Sequence, residues 1–367
     1  MAKRLRAYRH LAAWLATGLL TMAVQPAQAG LRTLEKLFVF GDSLTDTGNS
    51  WALTGNAFPP EPDYYQGRAS NGPVSPEYLW QLFNPGSTGG PTPSRSGGTN
   101  YAINGATTGL VNYNNLRGPS YSIFKDEGAA PQLSDFINDS PSFNPNTSLF
   151  VVWLFPNDVL SWLTTGKDAG TVLGGAPNTV DAQVMITTGI SNIATMITQL
   201  AARGATEFLV PNMPDLGQTP VFRGDPFSAA LLSALTAAFN TNLDPVLQSL
   251  QANLPGVEIS RFQTDDLFDK VITNPSSYGF TNVTAPCMIP APYTVCLNPD
   301  QYLFWDDFHP TTAAQRLIAQ NFYAATVETP GPLPVAGVTA AFAWSRRLRH
   351  RIKNSKASRP APSTDAG

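Results

Sequence analysis

Cations are scarce in the middle of this chain, which has 2 cysteines and 3 histidines in all, and neither terminal apolar run is long enough to span a bilayer securely. Of 23 Lys and Arg, 4 lie in the first 29 residues and 7 from Arg346 onward, leaving 12. Of 26 Asp and Glu, only Asp365 lies in those ends, leaving 25. The body therefore carries about −13, although the chain as a whole is nominally −3. Such a surface repels phosphate backbones, so no nucleic acid is expected as a partner.

The amino-terminal apolar run, Leu11 to Val24, falls short of the roughly 20 residues a spanning helix needs. Lys3, Arg4, Arg6 and Arg9 precede it and Ala27-Gln28-Ala29 follows it. Residues 1–29 thus read as a secretory signal removed before Gly30, and the protein is expected to be exported to the periplasm, the cell envelope or the medium. At the other end, residues 329–367 hold a Pro-rich break, a short apolar run from Leu333 to Trp344 and a basic cluster. This tail resembles bacterial carboxy-terminal sorting signals, which would give a transient membrane association. The alternative, a solvated tail, would leave the protein freely secreted. The body, 30–328, is large enough for a sizeable core, and one domain is expected. Gly at 29 and Pro at 32 imply long irregular loops.

In an exported chain, Cys287 and Cys296 are expected to form one disulfide ahead of residue 306. A cysteine nucleophile or a metal pair would need a second histidine nearby. None is at hand: His10 and His350 lie in the two ends, so any Ser-His chemistry must use His309.

The stretch Leu37 to Asn49, LFVF-GDSLTDTGN, supplies a serine for it. Four apolar residues predict a buried strand, and Gly41 allows a sharp exit that leaves Ser43 at its carboxyl end, where open α/β sheets keep their chemistry. Ser43 can be a nucleophile there, or the cap of the next helix. His309 stands in FWDDFHPTT with Asp306 three residues before it, within reach of the imidazole Nδ1–H. The competing reading is a histidine before a proline turn, with Asp306 and Asp307 capping the following helix. A metal site on Asp306, Asp307 and His309 has too few, too closely spaced ligands.

GDSLTDTGN and WDDFHPT resemble the first and last blocks of the GDSL esterase/lipase family, the SGNH hydrolases. NYAINGA (Asn100 to Ala106) and VVWLFPNDVL (Val151 to Leu160) are similar to the two blocks between them, in the same order. The resemblance implies a flavodoxin-like three-layer α/β/α fold with a central parallel sheet. It implies Ser43 as nucleophile, His309 as base and Asp306 as its orienting carboxylate, with an oxyanion hole from the Ser43 N–H, the Gly105 N–H and the Asn157 amide. It departs at Phe155-Pro156, where the family has a Gly-Ala-like pair. Pro156 lacks an N–H and fixes its φ, so a differently shaped loop is expected before Asn157.

The rest of the chain alternates strand and helix, which independently predicts a parallel sheet covered on both faces. Strands are expected at Thr99 to Ile103, Ser148 to Leu154, Phe208 to Val210 and Val257 to Phe262, and helices at Val74 to Phe83, Thr179 to Ala202, Asp225 to Leu250 (with a break at Pro245) and Thr311 to Ala325. Leu110 to Pro145 reads as a surface insertion with one helix near Gln132 to Ile137, and Asp265 to Asp300 as a long loop. Trp51, Phe58, Tyr64 and Tyr65 are candidates to line an acyl or aryl site, or to pack on their own loop. Asp42 and Asp46 read as structural.

The expected function is serine-dependent hydrolysis of a small-molecule, lipid or carbohydrate ester by a monomer, with no metal or organic cofactor. The same site would serve an acyltransferase or a polysaccharide deacetylase. A non-catalytic envelope binding protein on a hydrolase scaffold is the reading from another class, and Phe155-Pro156 is the feature that favours it.

Overall fold

Side chains alternate between the faces of a strand, and four apolar segments here use both faces. The computed structural model describes residues 31, 33–87, 90–290 and 293–327. The leader read over 1–29 and the tail read over 329–367 lie outside the described residues. Strands β1 (Lys36–Gly41), β2 (Ser148–Trp153), β3 (Glu207–Pro211) and β4 (Glu258–Phe262) pair in parallel in the order β1-β2-β3-β4. Gly41 stands opposite Trp153, so β1 and β2 end level with each other.

Phe38, Phe40, Phe150, Val152, Phe208 and Val210 point to one face, while Leu37, Val39, Leu149, Val151, Trp153 and Leu209 point to the other. Besides two short helices at Asn49–Leu53 and Pro220–Arg223, the helices are α1 (Ser75–Phe83), α2 (Ala129–Asp139), α3 (Pro156–Thr165), α4 (Ala182–Ala201), α5 (Pro226–Asn253), α6 (Thr264–Thr273) and α7 (Thr312–Val327). The first face is covered by α2, α4 and α5, through residues such as Phe136, Ile190, Ile197 and Phe239. The second is covered by α1, α6 and α7, through Leu79, Phe268, Ile318 and Phe322. The result is the three-layer α/β/α sandwich. Phe150, fully buried and stacked on Phe38 with ring centroids 4.7 Å apart, shows what holds it: truncation to Ala should cost about 3–5 kcal/mol.

Four sequence expectations need correction. The segment Thr99 to Ile103 does run parallel to β1, with Tyr101 N donating to Val39 O at 2.8 Å, but it is not a regular strand. Its carbonyls at Asn100 and Ala102 accept from the Asn49 side chain, and beyond it lies only an isolated bridge, with Ser94 N donating to Asn100 O. Leu110 to Pro145 is no surface insertion, since Phe124 and Phe136 are buried and Gln132 bonds to β1. The span Asp265 to Asp300 is not one loop: α6 opens it on Asp265 and Asp266 and ends near Lys270, complementing the helix dipole at both ends. Finally, α5 continues through Pro245, which is exposed, as is Thr241, whose carbonyl the proline cannot pair.

Beyond α6, β5 (Asn282–Pro286) pairs with β8 (Tyr302–Phe304), and β6 (Met288–Pro290) pairs with β7 (Tyr293–Val295) as a hairpin closed by the Cys287–Cys296 disulfide. Cys287 N and Met288 N donate to the carbonyls of Phe304 and Trp305, which ties the hairpin to the segment that carries residue 306.

Candidate active site

The chain leaves β1 at Gly41 and turns at once, because a side chain there would run into Thr45 and the Trp153 carbonyl. Gln132 of α2 fixes the strand end: its Oε1 accepts from Gly41 N at 3.0 Å and its Nε2 donates to Gly41 O at 2.8 Å. Asp42 Oδ1 then accepts from Leu44 N at 2.9 Å, and Asp46 accepts from the N–H groups of Gly48, Asn49, Ser50 and Asn104. Asp46 thus does the capping that Ser43 was free to do. Ser43, half-buried, places its Oγ 2.8 Å from His309 Nε2, 266 residues away in the chain.

His309 is held by its own turn. Asp306 Oδ1 accepts from the N–H groups of Phe308 and His309 at 2.8 and 2.7 Å, and Asp306 Oδ2 lies 2.7 Å from His309 Nδ1. Trp305 N donates to His309 O at 2.7 Å and closes the loop. The start of α7 is served by Thr311, whose Oγ1 accepts from Ala314 N, so Asp306 is not that helix's cap.

The electrostatics fit this arrangement. Burial alone would push the Asp306 carboxyl up, but the adjoining imidazolium and three hydrogen bonds hold it below the usual carboxylate range. Burial alone would lower His309; the charge and hydrogen bond of Asp306, with Asp42 behind, raise it instead, against a smaller opposing push from Arg117. Asp42 is pushed up to about 6 by complete burial, although Leu44 N, His309 and Asn157 all favour its charge.

Gly105 and Asn157 stand at the neighbouring strand ends. Gly105 has φ 79°, and a Cβ on it would lie 2.5 Å from Asn112 Oδ1 and 2.6 Å from Asn114 Nδ2, so both backbone shape and space call for glycine. Among the described residues, no acceptor lies on the N–H of Ser43 or of Gly105. The Asn157 amide is differently placed: its Nδ2 donates to Asp42 Oδ2 at 3.0 Å and to Ala106 O at 3.2 Å. The unusual pair before it is accommodated. Pro156 is the first residue of α3, where a missing N–H costs nothing, and Phe155 takes the left-handed conformation, φ 118°, that glycine takes easily. The Phe155 ring is clamped between Gly189 of α4 and Phe239 of α5, its centroid 3.7 Å from that of Phe239.

Spacing gave no sign of a further participant. Tyr64 donates from its hydroxyl to Asp306 Oδ2 at 2.7 Å, and the neighbouring Asp63 carbonyl accepts from Trp305 Nε1 at 3.0 Å. Phe58 packs on Tyr121 and Phe124, so the aromatic loop divides its duties. Among the described residues, no three His, Cys, Asp or Glu side chains are grouped as a metal site.

A family model described as GDSL-like Lipase/Acylhydrolase matches residues 37–322. A GDSL esterase/lipase of Arabidopsis thaliana is 29% identical over 337 residues, covering 81% of this chain and 89% of the relative. A phosphatidylcholine-sterol acyltransferase of Aeromonas hydrophila is 28% identical over 278 residues, covering 74% of this chain and 70% of the relative. Among solved structures, an acetylxylan esterase of Geobacillus stearothermophilus covers 82% of this chain and 96% of its own at 14% identity, with a TM-score of 0.39, a likeness too weak to bear on the site.

Proposed function

The chain belongs to the GDSL-like lipase/acylhydrolase family of ester-bond hydrolases, and from that premise we propose that it cleaves carboxylic esters with Ser43 as nucleophile, His309 as base and Asp306 as the carboxylate that orients it. The observation that carries this reading is the unbroken hydrogen-bonded line from Ser43 Oγ through both imidazole nitrogens to Asp306 Oδ2. Asp306 fixes the tautomer, with the proton on Nδ1 and a free pair on Nε2. As Oγ attacks the carbonyl carbon, Nε2 takes the hydroxyl proton, and the imidazolium that forms faces Asp306. The oxyanion is met by the N–H groups of Ser43 and Gly105. Asn157 joins them by giving up its longer bond to Ala106 O, while Asp42 keeps the amide aimed. His309 then protonates the leaving alcohol, and water attacks the acyl-serine by the same path in reverse.

The test is turnover of a short-chain aryl ester. Ser43→Ala and His309→Ala should each lose about 10⁴-fold or more in kcat while still folding and melting cooperatively. Retained activity in either folded protein contradicts the assignment.

The acyltransferase among the relatives favours a second outcome at the same site, in which an alcohol other than water receives the acyl group. A product assay with an added acceptor alcohol separates the two, because transfer yields a new ester and hydrolysis only acid. Export is proposed with either, and the Cys287–Cys296 bond suits it.

A further inference from the structure

Asp306 receives four donors, and one comes from far away. Its Oδ1 takes the N–H groups of Phe308 and His309 from its own turn, and its Oδ2 takes His309 Nδ1 and the Tyr64 hydroxyl, both at 2.7 Å. The phenol is aimed by contacts that have nothing to do with its oxygen. Its ring packs on the buried cluster of Cys287, Met288 and Trp305, its N–H donates to Pro60 O at 3.0 Å, and the preceding carbonyl, Asp63 O, is held by Trp305 Nε1. Mere packing of an aromatic ring would be served as well by phenylalanine, whereas this hydroxyl lies against one particular oxygen of a buried carboxylate.

We propose that Tyr64 is a positioning residue of the reaction, a fourth member behind the Ser43–His309–Asp306 line that shares Asp306 Oδ2 with the imidazole and thereby sets how strongly the carboxylate holds His309. The proposal rests on that triad reading and adds to it a control on the base. A carboxylate oxygen that divides its charge between two donors attracts each less than it would attract one alone. Tyr64 therefore tempers the stabilisation of the imidazolium. The phenol stays protonated throughout, since burial first, and then the charge and hydrogen bond of Asp306, push its ionisation well above the usual tyrosine range. The charged groups that act from other elements are Asp42 and Arg117 on His309, and Asp63 and Arg117 on Tyr64. A change of Tyr64→Phe alters none of them, so its effect reads the hydroxyl alone.

The experiment is the pH profile of kcat/KM for a short-chain aryl ester, in the wild type, in Tyr64→Phe, and in a protein with 3-fluorotyrosine incorporated at position 64. Removing the hydroxyl should move the acid limb to higher pH by roughly half a unit or more, with kcat affected more than KM. The fluorinated phenol, a stronger donor of the same shape, should move the limb the other way, and it keeps the test alive if Tyr64→Phe folds poorly. A limb that stays put in the folded variants, even beside a fall in kcat, overturns the proposal and leaves Tyr64 a packing residue. Ser43→Ala serves as the control. If it is inactive while the limb is unmoved, only the role of Tyr64 fails; if it is active, the triad fails and this proposal with it.

Discussion

The serine side and the histidine side of this site are built in opposite ways. Around Ser43 nearly everything is buried and bound to backbone: Gln132 closes Gly41, Asp42 takes Leu44 N, and Asp46 takes four N–H groups. These contacts are anchored in the central sheet, which cannot shift without losing core packing. His309 instead rides on a turn that closes on itself and leans on a disulfide hairpin at the edge, where Ile289, Tyr293, Val295 and Leu297 are exposed. Ser43 is hung directly from the core, while His309 is strapped to it. Damage on the serine side should therefore register as lost stability of the whole domain, and damage behind the histidine as lost activity in a domain that still stands.

The strongest challenge to that contrast is Asn157→Ala, on the serine side but proposed above to meet the reacting oxygen. It should lower kcat by about 10²–10³ with little change in KM. A loss below tenfold would mean the amide serves only to hold Asp42 and Ala106. Next comes Gln132→Ala, which takes the Oε1 acceptor from Gly41 N and leaves Gly41 O with Ile103 N as its donor, at a cost of about 1–3 kcal/mol. Urea unfolding should then shift to lower concentration, with loss of activity and loss of tryptophan fluorescence moving together.

Replacing both cysteines by serine should cost about 2–3 kcal/mol by the loop-closure argument for a separation of 9 residues, and should split those two curves, activity failing first. Coincident curves would erase the distinction between core and strap. The gentlest probe is pH. Because His309 is raised above 6.5, kcat/KM should fall on the acid side with a limb above that value. His309 adds stability that is complete below its unfolded value and vanishes as pH rises through its folded one. Asp306, lowered in the fold, adds stability that is present above its unfolded value and vanishes as pH falls. The melting temperature of His309→Ala should accordingly deviate most from wild type on the acid side of the limb, above the carboxylate range. A uniform offset would argue against the coupling.

The two sides also differ in how far the sequence disclosed them. The serine side is local: an apolar strand, a glycine and the block that follows sit within 13 residues, so the strand, the place of Ser43 at its end and the backbone-holding parts of Asp42 and Asp46 were readable. His309 was readable by elimination, since the other two histidines lie in the ends. Tyr64 was not readable in its present role, because nothing in a row of prolines and aromatics tells a ring that lines a pocket from one that reaches a carboxylate 242 residues away. Gln132 was missed for the same reason, and with it the fact that its segment belongs to the core. Helix α6 was hidden by the cysteines and prolines that follow it. The long passage of α5 through Pro245 shows local propensity yielding to packing when the proline faces solvent.

The most direct measurement is covalent labelling with a fluorophosphonate, read by mass spectrometry of the peptides. The expected result is a single adduct on Ser43 in the wild type and a labelling rate at least a hundredfold lower in His309→Ala, since activation of the hydroxyl needs the imidazole. No adduct, an adduct on another residue, or equal labelling of the two proteins would contradict the coupling of Ser43 to His309.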